Sequence, residues 1–268
     1  MALLALVSPG GAPGATTTAL ALTLAWPEQV LMAECDPDGG SVLTGLFAGH
    51  FPADRGLLHL ALRIKEDPAD AEAALAQQVL PLDEAGSRPV LPGPADPFQA
   101  QAVTADTWEQ IAAMLADYPG DVIADVGQVR ATGYPFPILG AASLITVVLR
   151  PTLRQVHAAR SRVAAIRQSL GEHVPVALCV IGQGPHSVPE ITSALGGAFA
   201  AAVQLPFDAR TAARLSDGAT RRRRDIRSSD LLLQARGSVR KLHAALHADR
   251  LPGASPSQMA PVGERGRR

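Results

Sequence analysis

The stretch Ser8-Pro-Gly-Gly-Ala-Pro-Gly-Ala-Thr-Thr-Thr18 lies between two apolar segments. Segment 2–7 is short and bounded by Pro and Gly, which predicts a buried strand. Segment 19–26 is rich in Ala and Leu and stops before Pro27, which predicts a helix. A strand, a glycine-rich loop and a helix opened by threonines direct backbone N–H groups at one point, where they favour an anion. The stretch therefore predicts a phosphate-binding loop.

The loop departs from the usual pattern G-x-x-x-x-G-K-[ST] at two positions. Gly14 and Thr16 match the second glycine and the hydroxyl, whereas Pro9 replaces the first glycine and Ala15 replaces the lysine. A glycine-rich turn that only packs between a strand and a helix therefore stays open as the alternative.

Composition predicts one globular domain over 1–248 and a disordered tail over 249–268, which is rich in Pro, Gly, Ser and Arg. The net charge of −1 gives no overall attraction to nucleic acid or to an anionic membrane. No basic segment precedes the apolar start, and no uncharged apolar run reaches the length of a membrane span. We expect a cytoplasmic protein in which Cys35 and Cys179 are buried free thiols.

Predicted strands alternate with predicted helices along the chain. Further strands are predicted from residue 30 and over 79–82, 89–91, 121–125, 141–149, 174–181 and 199–205, and helices over 56–63, 67–78, 107–116, 151–170, 189–195 and 227–247. This alternation predicts an α/β fold of three layers, in which a mainly parallel, twisted sheet carries helices on both faces.

Acidic residues follow two of the predicted strands. Glu34, Asp36 and Asp38 follow the second strand, and Asp125 ends strand 121–125. Ligands of open parallel sheets bind at the carboxyl ends of the strands, and an Asp at such an end is typical of Mg²⁺ sites in nucleotide enzymes. The alternative for 36–40 is a plain turn, because all its residues are turn formers.

Taken in order, these motifs resemble the MinD/ParA group of P-loop ATPases, the branch with a deviant phosphate loop, and within it degenerate members of the CpaE/TadZ type that localise pili. The resemblance covers 1–248. It rests on Gly10-Gly-Ala-Pro-Gly-Ala-Thr-Thr17, Glu34-Cys-Asp-Pro-Asp-Gly39, Val90-Leu-Pro-Gly-Pro94, Asp121-Val-Ile-Ala-Asp125, the strand 144–150 with Pro151, and Leu205-Pro-Phe-Asp208.

The resemblance implies roles for individual residues. Thr16 and Asp125 would bind Mg²⁺, Asp36 would orient the attacking water, and Glu34 stands where the family has another Asp and is a possible metal ligand. The nucleotide would contact Gly10, Gly11, Ala12, Pro13, Gly14, Ala15, Thr16, Thr17, Gln183, Pro206 and Asp208.

Both lysines of the family pattern K-G-G-x-G-K-T-T are absent, because Gly10 and Ala15 occupy their positions. One charge-assisted hydrogen bond contributes roughly 1.5–3 kcal/mol, or about one to two decades of affinity, so weak binding of ATP and Mg²⁺ can survive. A cation on the transferred phosphoryl group changes the rate by about 10³–10⁵, so we expect little or no hydrolysis. The alternative is an active ATPase with an unconventional cation, for which Arg130 and Arg150 are candidates by position.

The resemblance further implies a homodimer and a protein partner in partitioning, pilus, secretion or division machinery. The basic run Arg221, Arg222, Arg223 and Arg224 is either a non-specific DNA contact or a solvated loop. The apolar face of helix 227–247 predicts packing on the sheet rather than membrane insertion. His243 and His247 have the i, i+4 spacing of metal ligands but no third ligand near them in sequence, which favours surface residues.

Overall fold

The structure is a computed structural model that describes residues 1–10, 14–51, 54–67, 70–83, 85–95, 97–130, 134–171, 174–218 and 226–248. The predicted tail 249–268 and the basic run 221–224 lie outside these residues. Gly11, Ala12 and Pro13 of the predicted phosphate loop also lie outside them.

Within the described residues, eight strands form one sheet in the order β3-β4-β2-β5-β1-β6-β7-β8. The strands are β1 (Leu3–Ser8), β2 (Val30–Glu34), β3 (Leu80–Pro81), β4 (Pro89–Leu91), β5 (Asp121–Gln128), β6 (Leu144–Leu149), β7 (Val176–Ile181) and β8 (Ala201–Leu205). All neighbours pair in parallel except β3 and β4, which pair antiparallel at one edge. The predicted α/β fold with a mainly parallel sheet is confirmed.

Ten helices occur in the described part of the chain. They are α1 (Ala15–Ala25), α2 (Leu57–Glu66), α3 (Ala71–Gln78), α4 (Pro97–Ala100), α5 (Ala105–Ala116), α6 (Phe136–Gly140), α7 (Leu153–Leu170), α8 (Val188–Ala194), α9 (Ala209–Ser216) and α10 (Asp230–Leu246). None of these helices has the length and apolar character needed to cross a membrane.

The central strands are buried on both faces, so their side chains serve two cores. On β1, Leu3, Ala5 and Val7 belong to the core beneath α2, α5 and α7, whereas Leu4 and Leu6 belong to the core beneath α1 and α10. Strands that are covered on both faces consist of continuous apolar residues. Segment 2–7 therefore shows no alternation of apolar and polar residues. Cys35 and Cys179 are buried free thiols, as predicted.

Several local features differ from the prediction. Strand 121–125 continues to Gln128, and helix α4 was not predicted. Strand 141–149 begins only at Leu144, because the N–H groups of Ala141 and Ala142 bond back to α6. Helix α6 was missed because its five residues are too few to show a helical period. Helix α9 was also missed, although Asp208 caps it by accepting hydrogen bonds from the backbone N–H and the hydroxyl of Thr211.

Helix α10 packs its apolar face on the sheet, as predicted. Leu231, Leu232, Ala235, Val239, Leu242 and Leu246 are all buried and belong to one core with α1. Its neighbour Leu233 points outward and is 51% exposed.

Because Leu242 is fully buried, Leu242→Ala removes packed methyl groups and leaves a cavity. We expect it to lower the free energy of unfolding by about 2–5 kcal/mol, measured by urea denaturation. Leu233→Ala on the same helix is the matched control and should change stability by no more than about 0.5 kcal/mol. Equal effects of the two substitutions would contradict the packing of this face.

Candidate functional site

A cavity of about 490 Å³ opens at the carboxyl ends of β1 and β5, beside the first turn of α1. Its walls carry Thr16, Asp36, Gly127, Arg150 and Phe207 among other residues. At this end of the sheet, where the strands have their carboxyl ends, the acidic residues of the sequence predicted a ligand site.

The first turn of α1 faces this cavity. Gly14 precedes the helix with φ +104°, a left-handed conformation that favours glycine, and Ala15, Thr16 and Thr17 line the cavity with it. Among the described residues no side chain caps α1, so the N–H groups of its first turn are available for an anion.

Gly10, at the start of the loop, is held by α7 and is not among the residues that line the cavity. The amide of Gln155 donates from Nε2 to the Gly10 carbonyl at 3.1 Å, while its Oε1 accepts the Arg150 backbone N–H at 3.1 Å. Gln155 is buried, so it fixes the loop start relative to the end of β6.

Asp125 lies beside the predicted magnesium ligand Thr16. The buried Asp125 carboxylate accepts a hydrogen bond from the backbone N–H of Gly127 at 3.3 Å, and the nearby Thr16 hydroxyl favours its charged form. Burial, aided by the nearby Asp36 carboxylate, raises the pKa of Asp125 to about 6, although the Thr16 hydroxyl and the Gly127 N–H lower it. The two side chains thus bring two oxygen donors together in an environment short of positive charge.

Asp36 lies over Gly127, which has to be glycine. Gly127 has φ +68°, and a Cβ there would lie 2.1 Å from the Asp36 carboxyl carbon. Burial raises the pKa of Asp36 to about 6, although the Arg130 guanidinium lowers it. No role was predicted for Gly127, which lies within β5; the signal was a glycine two residues after the acid that ended the predicted strand.

Glu34 is occupied by backbone contacts. Its Oε1 accepts N–H groups from Ser41 at 2.9 Å and from Val42 at 3.0 Å, and its Oε2 accepts the N–H of Gly93 at 3.0 Å. Burial raises the pKa of Glu34 to about 7, against the effect of these hydrogen bonds. Glu34 therefore ties two loops to the end of β2, and the metal-ligand hypothesis now rests on Thr16 and Asp125.

The two candidate cations are placed differently. Arg130 forms an ion pair with Asp38. Arg150 lines the cavity with its guanidinium carbon 4.5 Å from the centre of the Phe207 ring, and its buried Nε has no hydrogen-bond partner among the described residues. Arg150 is therefore the better placed of the two to contact a ligand.

Three predicted nucleotide contacts, Gln183, Pro206 and Asp208, divide between two cavities. Pro206 and Asp208 line the main cavity together with Phe207, whereas Gln183 lines an adjoining one that shares Pro206 and Phe207. Asp208 is engaged in capping α9. The resemblance assigned the loop Pro206-Phe-Asp208 to the nucleotide base, but Phe207 was not itself named as a contact; its place in a Pro-containing loop after β8 was the available signal.

Asp125→Asn tests the charge balance of this cluster. The unfolded chain loses the Asp125 proton above the ordinary pKa of 3.8, whereas the native state keeps it up to about pH 6. The free energy of unfolding therefore falls as pH rises from about 4 to 6. In EDTA at pH 7.5 we expect the variant to be more stable than wild type by up to about 3 kcal/mol, at about 1.4 kcal/mol per pKa unit.

The stability difference should vanish below about pH 4, where the acid is protonated in both states. Asp117→Asn, at an exposed position, is the control and should show no such pH dependence. A variant less stable than wild type at pH 7.5 would mean that the hydrogen bonds of the Asp125 carboxylate outweigh its burial.

No family model matches the sequence, and no curated protein matches it. Solved structures do match its fold. A ParA family ATPase from Chlorobium tepidum TLS aligns with a TM-score of 0.71 at 13% identity, covering 89% of this chain and 98% of that one. The septum site-determining protein MinD of Pyrococcus horikoshii OT3, complexed with Mg-ADP, aligns with a TM-score of 0.67 at 13% identity, covering 94% of this chain and 97% of that one. An ATP complex of a Cyanothece McdA variant aligns with a TM-score of 0.62 at 21% identity, covering 91% of this chain and 96% of that one. At these identities the likeness is one of fold, and the fold of this chain is that of the MinD and ParA ATPases.

Proposed function

We propose that this chain is a positioning or regulatory module that binds ATP with Mg²⁺ weakly and hydrolyses it slowly or not at all. The observation that carries the proposal is that Thr16 and Asp36 line one cavity at the first turn of α1, and that both influence the charge of the buried Asp125 carboxylate. Fold relatives complexed with Mg-ADP and with ATP support the class of ligand.

The residues present fit Mg²⁺. A hydroxyl and a carboxylate are oxygen donors of the kind that this ion prefers, and the Asp125 carboxylate lies near a second carboxylate without a lysine in the loop. Thr16 and Asp125 would hold the ion, and the ion would neutralise phosphate charge when bound. Asp36, which lies over Gly127, would orient a water.

The charges of the residues that line the cavity support a requirement for Mg²⁺ in ATP binding. Among the described lining residues, the carboxylates are Asp36, Asp38 and Asp208, and the one cation is Arg150. Arg130 neutralises Asp38, but Asp36 and Asp208 still outnumber Arg150, so a free triphosphate would meet more negative than positive charge there. ATP should therefore bind as its magnesium complex.

Arg150 supplies the donor that the loop lacks. Its buried Nε has no hydrogen-bond partner in the part of the chain that the structure describes, and the Phe207 ring contacts the guanidinium by a cation–π interaction. A bound nucleotide would give this nitrogen a partner, which relieves the cost of a buried unsatisfied donor.

Arg150→Ala should weaken ATP·Mg²⁺ binding by about one to two decades, because one charge-assisted contact contributes roughly 1.5–3 kcal/mol. Calorimetry or a fluorescent ATP analogue, with and without Mg²⁺, measures the change. Arg154→Ala, at an exposed position four residues later on α7, is the control and should bind as wild type does. Equal affinities of the three proteins would remove Arg150 from the site.

A turnover assay separates the proposal from the alternative of an active ATPase with an unconventional cation. We expect binding without measurable phosphate release, because Gly10 and Ala15 leave the loop without its two ammonium groups. ATP turnover that disappears on Asp36→Ala would instead establish the active enzyme. Absence of both binding and turnover would leave a scaffold without nucleotide.

We further propose a homodimer that recruits a protein of partitioning, pilus, secretion or division machinery, in line with the positioning roles of the MinD/ParA fold. The likeness to CpaE/TadZ-type proteins and the DNA contact through 221–224 stay predictions.

A further inference from the structure

Three ligand-type side chains meet at the other end of β5 from the nucleotide cavity. Asp121 is the first residue of β5, and its carboxylate is buried. The Nε2 atoms of His247 and His243, both from the end of α10, lie 3.1 Å and 3.5 Å from the same oxygen, Oδ2 of Asp121. The ligand atoms of the three residues all lie within 4.8 Å of one another.

The sequence interpretation of His243 and His247 as surface residues without a third ligand is wrong on this point. The third residue, Asp121, is 126 positions before His247, and only the packing of α10 on the sheet brings it there. Glu28 adds a fourth candidate, with Oε1 3.9 Å from the Nε2 of His243.

The Nε2 atoms of His247 and His243 differ in their hydrogen bonding. The Nε2 of His247 shares a hydrogen bond with Asp121. The Nε2 of His243 is buried and has no hydrogen-bond partner among the described residues, although it faces the same carboxylate. This buried imidazole nitrogen therefore lies 3.5 Å from a carboxylate oxygen without the hydrogen bond that a buried polar atom normally has.

We propose that Asp121, His243 and His247 bind a zinc-class divalent metal ion, with Glu28 as the fourth ligand. In a tetrahedral zinc site with bonds of about 2.1 Å, neighbouring ligand atoms are about 3.4 Å apart. The two nitrogen-to-oxygen separations of 3.1 Å and 3.5 Å lie on either side of that value. Imidazole is a ligand that suits zinc, and the i, i+4 spacing puts both rings on one side of α10.

The surroundings of Asp121 fit a metal ligand. Trp26 donates its indole N–H to Oδ2 at 3.0 Å, and such outer donors orient ligating carboxylates. The amino group of Met1 lies 3.9 Å from Oδ1, on the other carboxylate oxygen. Two carboxylates and two neutral imidazoles would balance the charge of one divalent ion.

A metal ion here would join the end of α10 to the start of β5. The helix contributes the two histidines, the strand contributes Asp121, and the segment between α1 and β2 contributes Glu28. The site is independent of the nucleotide cavity, which lies at the carboxyl end of the same strand.

The test uses the full chain without a histidine tag, stripped with EDTA and equilibrated with ZnCl₂ at micromolar concentration. We expect about one zinc per chain by elemental analysis and a higher melting temperature with zinc than without it. His243→Gln and His247→Gln should each lower zinc affinity more than about 100-fold, beyond the loss typical of outer-shell changes. Because these side chains are 25% and 20% exposed, both variants are expected to fold.

His157→Gln, at an exposed position on α7, is the matched control and should keep both the zinc and the thermal shift. Affinity for ATP·Mg²⁺ should be equal in all four proteins, so this result does not depend on the proposed nucleotide site. Absence of zinc from the wild-type chain would overturn the proposal. Zinc retained in full by both histidine variants would do the same, since it would place the ion elsewhere.

Discussion

The parallel pairing of β1 with β5 is the constraint on which the other features depend. Leu6 of β1 lies opposite Asp125 of β5, and Glu34 of β2 lies opposite Asp125 on the other side. This register places the glycine loop that follows β1 next to the acidic end of β5. Because all three strands are buried on both faces, a shift by one residue would exchange the side chains of the two cores.

Burial raises the pKa values of the carboxylates beside the nucleotide cavity. Glu34, Asp36 and Asp125 each have a raised pKa, and loss of water around the charge is the largest cause in each case. The Glu34 carboxylate accepts three backbone N–H groups and so holds two loops at the end of β2. Asp125 and Asp36 are compensated less fully, and a cation would balance them.

Strand β5 carries a candidate site at each end. Its carboxyl end presents Asp125 to Thr16, and its amino end presents Asp121 to α10. A strand held on both sides by parallel neighbours is a rigid support, which suits ligand sites that need fixed geometry. The two ends differ in donor type: oxygen donors prevail at the first, and imidazole nitrogens contribute at the second.

The sequence by itself determined the alternation of strands and helices, the glycine loop and the strand-end acids Asp36 and Asp125, because periodicity and turn chemistry are local. The buried central strands were found for the same reason, since their apolar runs need no knowledge of their neighbours. Only the tertiary structure decided that Arg150 faces the cavity while Arg130 pairs with Asp38. It also gave Glu34 its backbone partners and brought Asp121 to His243 and His247. These contacts join residues far apart in the chain, and local sequence patterns do not encode which distant side chains the folded sheet brings together.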